Sequence, residues 1–334
     1  MPLAPTLGKN DRLRLILGKS GLSALDLRGK PSPASDPREI QPIRTGETRE
    51  AAKRKSDPAH CGISRAYFCG IRRHMEYISS RTNPRLIAAA KLRDRKYRDA
   101  QRQFLIDGKK LYAEALACGV ELQAVFVTER FLAENADFTE NERVIVLSDG
   151  AFRKLSEENA PDGIICVAKY IDFLHNFVTI YNTDRKDGPL FAACEVQDPG
   201  NVGTIIRTAN AFGVRNLILS GCADLYHPRT VRAAMGGLFR QRVTVVADFP
   251  ETVRALQRDG YAVYAAALHR DSVSLDTVPP DSRICYVVGN EGHGLSDEVL
   301  AACDRTVFIP IAPHTESLNV SAAATVLMWH SRKI

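Results

Sequence analysis

The residue types that could do chemistry are concentrated in three short segments of the C-terminal half. The first runs from Gln197 to Arg207, leaving the end of an apolar strand and entering a helix. Asn201 is predicted to cap that helix, and Gly203, Arg207 and Asn210 lie on the face opposite its apolar residues. With Gly203 leaving room beside it, the Arg207 guanidinium is expected to face a groove that favours anions. A plain cap and a surface arginine are the alternative interpretation.

The second segment, residues 287–296, again follows an apolar strand and has glycines at 289, 292 and 294. Glycines let a ligand approach the backbone closely, and Glu291 places a carboxylate among them. Neither phosphate-binding glycine fingerprint is present, so a ligand with hydroxyl and amino groups fits better than a phosphate. The alternative is a tight turn in which Ser296 caps the next helix and Glu291 and His293 are only exposed.

The third segment spans residues 308–321, near the C-terminus. Four polar residues crowd the predicted start of the final helix between apolar neighbours: Glu316, Ser317, Asn319 and Ser321. Helix capping explains one or two of them but not all four.

Apolar strands alternate with helical periods in the two regions that must position these segments. Residues 77–172 are predicted to form a small α/β domain, 173–187 a polar linker, and 188–334 a largely parallel sheet covered on both faces. The final helix is predicted from about Ser317 to His330. Its predicted packed stripe comprises Leu318, Ser321, Ala322, Thr325, Val326 and Trp329.

Charge is distributed unevenly along the chain. Residues 1–110 hold 25 Lys and Arg against 11 Asp and Glu, a net charge of +14, while the remainder holds 20 against 28, a net charge of −8. Such asymmetry favours a polyanion partner, because each neutralised phosphate releases counterions. Asn83-Pro84 is predicted to start a helix with one basic face, formed by Arg93, Arg95, Lys96 and Arg98.

Residues 1–76 are rich in Pro, Gly, Ser and charges and are predicted to be a basic, mostly disordered extension. An organellar transit peptide is an open alternative, although acidic residues such as Asp11 and Asp26 are unusual in such peptides. No apolar run is long enough to span a membrane, so a soluble cytoplasmic protein is expected.

The eight cysteines contain no CxxC pair and lie mostly within apolar stretches, as expected for structural thiols in a reducing compartment. One group combines His60, Cys61, Cys69 and His74, but its spacing matches no zinc pattern. No metal site is therefore predicted.

The ordered set "NVGTIIRTANAFGV", "VVGNEGHGL" and "IPIAPHTESLNVSAAA" resembles the three motifs of the SpoU (TrmH-type) branch of the SPOUT RNA methyltransferases. This similarity covers residues 188–334. Residues 77–172, with "TNPRLIAAAKLRDRKYRDAQRQFLIDGKKLYAEAL", resemble the ribosomal-protein-like RNA-binding domain that precedes the catalytic domain in many members. The expected activity is transfer of a methyl group from S-adenosylmethionine to a ribose 2'-hydroxyl of structured RNA.

The resemblance also implies an architecture and a set of site residues. The C-terminal sheet is expected to form a deep trefoil knot, and members form homodimers whose sites borrow residues from both subunits. Gly289, Ile309 and Leu318 are expected to line the cofactor pocket. The polar set around the reacting ribose is expected to be Asn201, Arg207, Glu291, Ser317 and Asn319.

The resemblance implies that Arg207 either removes the proton of the ribose hydroxyl as a base or orients the phosphate and the hydroxyl. We favour the orienting role, because a guanidinium with a pKa above about 12 loses its proton only with difficulty.

Several alternatives stay open at this stage. Both ribosomal and transfer RNA ribose methylases use this domain, and the RNA-binding domain favours ribosomal RNA. A catalytically silent RNA-binding protein could keep the fold, but the polar set is intact. An ordinary Rossmann dehydrogenase is disfavoured, because the glycine fingerprint after the first strand is missing.

Overall fold

The computed structural model describes residues 75–135, 138, 144–171, 189–269, 271–281 and 283–332 of the 334-residue chain. The predictions made for residues 1–74, for the 173–187 linker and for the group His60, Cys61, Cys69 and His74 lie outside the described residues. Within the described ranges, no helix has the length and apolar character needed to cross a membrane.

The N-terminal part contains a five-stranded sheet in the order β1-β4-β3-β5-β2. β1, β4 and β3 run parallel, and β5 is antiparallel to both β3 and β2. The elements are β1 Glu76–Ile78, α1 Pro84–Lys91, α2 Arg95–Gln101, β2 Gln103–Asp107, α3 Lys109–Ala117, β3 Leu122–Thr128, α4 Glu129–Glu134, β4 Val144–Leu147, α5 Asp149–Phe152 and β5 Ile164–Lys169.

The basic helix predicted after Asn83 is two helices, α1 and α2. Asn83 caps α1 as predicted, but Asp94 accepts a hydrogen bond from the Lys96 amide and starts α2. Its basic face is also not wholly exposed. Arg98 is only 1% exposed and lies inside the molecule, so the prediction that it belongs to a polyanion-binding surface was wrong.

The C-terminal part contains a seven-stranded sheet in the order β10-β12-β9-β11-β6-β7-β8, with every pairing parallel. This confirms the predicted parallel α/β domain, and the knot stays a prediction. The elements are β6 Leu190–Cys194, α6 Pro199–Ala211, β7 Asn216–Ser220, α7 Pro228–Ala234, β8 Val243–Val246, α8 Phe249–Arg258, β9 Ala262–Ala266, β10 Val273–Ser274, β11 Ile284–Val288, α9 Asp297–Ala302, β12 Arg305–Phe308 and α10 Val320–Ser331.

The central strands of this sheet are buried on both faces. Along β6, Phe191 and Ala193 join the core that contains α6 and α10, while Leu190 and Ala192 join the core beneath α8 and α9. The alternation follows from the two-residue period of a strand. Burial on both faces explains why these strands are continuous apolar runs in the sequence.

The final helix differs from its prediction in start and orientation. Asn319, not Ser317, is its N-cap, so α10 begins at Val320. Its buried residues are Ala324, Leu327, Met328 and Ser331. The prediction of a packed stripe was therefore wrong for four of its residues. Leu318, Ala322, Val326 and Trp329 are exposed, with 51% of Trp329 accessible.

Candidate active site

The three chemistry-bearing segments follow strands β6, β11 and β12. β6 and β11 are parallel neighbours, and β9 lies between β11 and β12. Parallel strands place their carboxyl ends at one edge of a sheet, where ligands bind in open α/β folds. The loops at 195–198, 289–296 and 309–319 therefore share one edge.

Glu291 connects the loop after β11 to the loop after β6. One carboxylate oxygen accepts hydrogen bonds from the Asp198 amide at 3.1 Å and from Asn201 Nδ2 at 3.0 Å. The other oxygen accepts from the Gln197 amide at 3.1 Å. The carboxylate thus satisfies two backbone donors next to α6 and fixes one motif against another.

Asn319 adds the third segment to this arrangement. Its Nδ2 donates to Asn201 Oδ1 at 3.2 Å, while its Oδ1 accepts from the amide and hydroxyl of Ser321 at 2.9 and 2.6 Å. Asn201 therefore bridges Glu291 and Asn319. We call Gln197, Asp198, Asn201, Glu291 and Asn319 the strand-end network.

Glu291 is held as a carboxylate. Partial burial alone would raise its pKa, but the hydrogen bonds from Asn201 and from the backbone amides of Gln197 and Asp198 outweigh burial, and the pKa is lowered. A carboxylate with a lowered pKa is a weak proton acceptor at neutral pH. Glu291 is thus better suited to hold the loops than to remove the proton of a hydroxyl.

The prediction that Asn201 caps α6 was wrong. Asp198 is the N-cap, and its carboxylate accepts a hydrogen bond from the Asn201 amide at 2.9 Å, with Pro199 at the first helical position. Asn201 lies in the first turn of α6. Its side chain is consequently free to bridge the other two motifs.

The reason for glycine at position 203 also differs from the prediction. Gly203 is buried, and a Cβ there would lie 2.5 Å from the Thr230 carbonyl oxygen and 2.6 Å from Ala233 Cβ. The missing side chain therefore lets α7 pack against α6 and does not make room for a guanidinium. Arg207 is exposed and has no hydrogen-bond partner within the described residues.

Arg207 lies apart from the strand-end network of its own chain. It follows Asn201 by six helical positions, which places it about 9 Å further along α6 and about 120° around its axis. Ser317, in the exposed 310–319 segment, has no hydrogen bond to the network within the described residues either. The structure brings together Asn201, Glu291 and Asn319 out of the five predicted polar residues.

The predicted cofactor residues lie at the same edge of the sheet. Ile309 is half-buried directly after β12, and Leu318 is 39% exposed just before α10. Gly289 follows β11, but a Cβ there would lie 2.4 Å from the Gly294 carbonyl carbon. Glycine is therefore required by the loop's own closure, through the Asn290–Gly294 bridge, whatever ligand the loop contacts.

Sequence reasoning missed Leu268 and Glu195. Leu268 follows β9, between the strands that lead to Gly289 and Ile309, and 78% of it is exposed. The Glu195 carbonyl accepts a hydrogen bond from Asn290 Nδ2 at 2.8 Å. Glu195 itself has a φ angle of 57°, in the left-handed region that favours glycine. Neither residue stands in a recognisable sequence pattern. The N-cap role of Asp198, in contrast, could have been found from the Asp-Pro pair at 198–199, which is typical of a helix start.

Residues 189–329 match the model of the SpoU rRNA Methylase family, and residues 75–166 match the MRM3-like substrate binding domain. A 23S rRNA (guanosine(2553)-2'-O)-methyltransferase of Bacillus subtilis is 32% identical over 77% of this chain and all of its own length. The chain belongs to the SpoU rRNA methylase family.

Another relative and two solved structures are also similar to this chain. The human mitochondrial rRNA methyltransferase 3 is 24% identical over 91% of this chain and 84% of its own. The AdoMet-bound rRNA methyltransferase of Sinorhizobium meliloti superposes with a TM-score of 0.67 and 26% identity, covering 77% of this chain and 97% of its own. An RNA 2'-O ribose methyltransferase superposes with a TM-score of 0.65 and 28% identity, covering 76% and 97%.

Proposed function

We propose that this protein transfers the methyl group of S-adenosylmethionine to a ribose 2'-hydroxyl of large-subunit ribosomal RNA. The observation that carries the proposal is the strand-end network, in which hydrogen bonds of 3.0 to 3.2 Å join all three SpoU motifs at one edge of the parallel sheet. The activity is that of the family to which the chain belongs.

The residues at this edge suit S-adenosylmethionine. Leu268, Ile309 and Leu318 present apolar surface, and all three lie, like Gly289, in loops that follow parallel strands. Apolar walls with a few polar backbone groups are typical of sites that bind a ligand with a flat ring and polar substituents. We assign the cofactor to Gly289, Ile309 and Leu318, with Leu268 beside them.

Held by Gly289, Ile309 and Leu318, S-adenosylmethionine would supply an electrophilic sulfonium methyl group for the ribose 2'-oxygen; its S–CH3 bond would break, S-adenosylhomocysteine would be released, and the hydroxyl proton would pass to water. Glu291 and Asn201 hold the loops after β6 and β11 at a fixed separation, and Asn319 ties the start of α10 to them. The exposed hydroxyl of Ser317 lies two residues before Asn319, where it can contact the ribose. Arg207 orients the RNA through its planar, two-pronged donor group.

We further propose a homodimer whose active site is shared. Two observations support it: Arg207 makes no hydrogen bond to the strand-end network within the described residues, and apolar surface is exposed along α10 and just before it, at Leu318, Ala322, Val326 and Trp329. Exposed apolar stripes of this kind are typical of protein interfaces. A second copy packed on this stripe can bring its Arg207 to the network.

Ribosomal RNA is favoured over transfer RNA as the substrate. The curated relatives at 32% and 24% identity act on ribosomal RNA by name, and a domain named for substrate binding covers residues 75–166. A catalytically silent RNA-binding protein is disfavoured because Asn201, Glu291 and Asn319 join all three motifs. Location in the cytoplasm stays a prediction.

The experiment is to map ribose methylation in ribosomal and transfer RNA from cells with and without the gene, and after adding back the protein. We expect one ribose of large-subunit RNA to lose its methyl group and to regain it with the parent protein. The Glu291→Gln protein should not restore it. Loss of a methyl group from transfer RNA alone would replace this substrate, and an unchanged map would contradict the proposal.

A further inference from the structure

The small domain, residues 76–171, and the methyltransferase domain, from residue 189 onward, meet in a buried contact centred on Arg98. This arginine of α2 is among the largest fully buried side chains of the described residues, with 1% exposed. Its Nε and Nη2 donate to Asp224 Oδ2 at 3.1 and 2.5 Å. Its Nη1 donates to the Leu92 carbonyl at 2.9 Å. The guanidinium is thus satisfied from both domains.

Aromatic side chains lie next to this ion pair. Tyr170 and Tyr226 stack with ring centroids 3.9 Å apart, and Phe104 lies 4.7 Å from Tyr226. The Tyr226 hydroxyl accepts a hydrogen bond from the Ile171 amide at 2.9 Å and donates to the Ile171 carbonyl at 3.3 Å. Residues of both domains belong to one hydrophobic core cluster, so the contact is continuous with the protein interior.

The same contact is connected to the candidate active site. Asp224 lies in the loop after β7, and the carbonyl of Gly221 in that loop accepts from Gln197 Nε2 at 2.8 Å. On the other side, Arg229 forms an ion pair with Asp198 at 3.0 Å. Gln197 and Asp198 are the two residues whose amides bind Glu291. A short series of bonds therefore links the small domain to the strand-end network.

We propose that Arg98 and Asp224 are positioning residues that hold the RNA-binding domain at one fixed place beside the catalytic loops. This inference rests on the proposed function. A domain held in this way sets the distance between the RNA surface that it binds and the ribose that reaches Asn201 and Glu291. Arg98 and Asp224 then determine which ribose is methylated without touching it, because a displacement of about 1 Å at the reacting atoms lowers rates about a hundredfold.

The test compares three full-length variants with the parent. Arg98→Met/Asp224→Asn removes both charges, which avoids leaving one charge buried and unpaired. Arg98→Lys keeps the charge but loses the forked geometry. Glu114→Gln is the matched control, since Glu114 pairs with Arg240 across the same two domains at a partly exposed site.

Hydrogen–deuterium exchange reports the contact itself. In the parent, the Ile171 and Tyr226 amides should be strongly protected, because they donate to the Tyr226 hydroxyl and to Asp224. In the double variant their exchange should rise at least tenfold, while amides of β11 keep the parent's rates. Weak protection in the parent would overturn the inference. The Glu114→Gln protein should match the parent.

Methyl transfer reports the positioning role, with a full-length large-subunit ribosomal RNA transcript and labelled S-adenosylmethionine as probes. In the double variant we expect the KM for RNA to rise at least tenfold, other riboses to gain methyl groups, and cofactor affinity to stay within twofold. Arg98→Lys should retain part of the selectivity. It also serves as the decisive variant if the double variant does not fold.

The two ways of failing are distinct. An active parent whose double variant loses amide protection but keeps the KM and the methylated ribose would overturn the positioning role and leave the proposed function standing. A parent that binds cofactor but methylates no ribose of the transcript would overturn the proposed function, and the positioning role with it.

Discussion

Two polar networks of this protein use the same chemistry in opposite surroundings. In the strand-end network, Glu291 accepts three hydrogen bonds at the surface of the sheet edge. In the interdomain contact, Arg98 donates to Asp224 and to backbone carbonyls in the interior. The first network stays within reach of a ligand and can take part in a reaction. The second is enclosed and can only set positions, and its strength depends on both partners being present.

Breaking the enclosed pair should have the largest effect on stability. Arg98→Met leaves Asp224 with an unpaired charge, and loss of one partner of a buried pair costs about 3–5 kcal/mol. Arg95 lies on α2 three residues before Arg98 and forms an exposed ion pair with Asp99. Arg95→Met removes that pair and is the matched control, which should change stability little. Urea unfolding of the full-length proteins measures both, and equal losses would contradict the comparison.

The sequence predicted the strands better than the contacts. The two α/β regions were predicted because buried strands such as β4 and β11 are apolar runs between polar turns. Three residues of the exposed strand-end network, Asn201, Glu291 and Asn319, were predicted because each lies within one of the three short sequence motifs. The Arg98 contact was missed because its partner lies 126 residues away and basic neighbours made Arg98 resemble a surface residue.

Two further errors have a common physical cause. An amphipathic pattern shows that a helix has an apolar stripe but not which neighbour covers it, so the stripe of α10 was assigned to the wrong face. In the same way, the glycines at 203 and 289 were correctly singled out, but their reason is contact within the chain. A sequence shows where space is needed and not what fills it.

Breaking the exposed network should lower activity more than stability. Glu291→Gln replaces one acceptor oxygen by an NH2 group, which would face the backbone amides that the carboxylate now binds. We expect single-turnover methyl transfer to fall about a hundredfold or more. Glu251→Gln, an exposed glutamate paired with Arg254 and Arg258, is the control. Near-parent turnover in Glu291→Gln would remove the network from the mechanism.

Arg207 belongs to the proposed active site but lies outside the strand-end network of its own chain. Arg207→Ala and Arg207→Lys should each lower single-turnover methyl transfer about a hundredfold, while cofactor affinity by calorimetry barely changes. Loss of cofactor affinity in proportion to the rate would instead place Arg207 in the cofactor pocket.

Mixing two inactive proteins tests whether the site is shared. If Arg207 of one subunit meets Glu291 of the other, a dimer of one Arg207→Ala chain and one Glu291→Gln chain has one intact site. Random exchange of equal amounts should then restore about a quarter of the parent activity, since about half the dimers are mixed and each has one of two sites. No recovery, with exchange shown by mass spectrometry, would place each site within a single subunit.

The glycine loop allows a smaller and more local test. Gly289→Ala should lower the unfolding free energy by about 1–3 kcal/mol, because its Cβ meets the backbone of Gly294 and Leu295. Gly292→Ala is the matched control in the same loop, where a Cβ would lie 3.5 Å from Asn290 Oδ1. If Gly289→Ala keeps parent stability but loses cofactor binding, then the ligand, and not loop closure, explains this glycine.

The smallest expected effect concerns a carboxylate of the small domain that is less well satisfied than Asp224. Burial raises the pKa of Asp107, although the Ser156 hydroxyl donates to it at 2.9 Å and Arg232 lies near. A raised folded-state pKa means that ionisation disfavours the fold, so the parent should lose stability as pH rises from about 3.8 through that raised value. The Asn side chain of Asp107→Asn does not ionise. The thermal midpoint of this variant, relative to that of the parent, should therefore rise between pH 4 and pH 7. The exposed Asp271→Asn serves as control, and an offset between Asp107→Asn and the parent that is the same at every pH would show that the Asp107 charge is fully compensated by its partners.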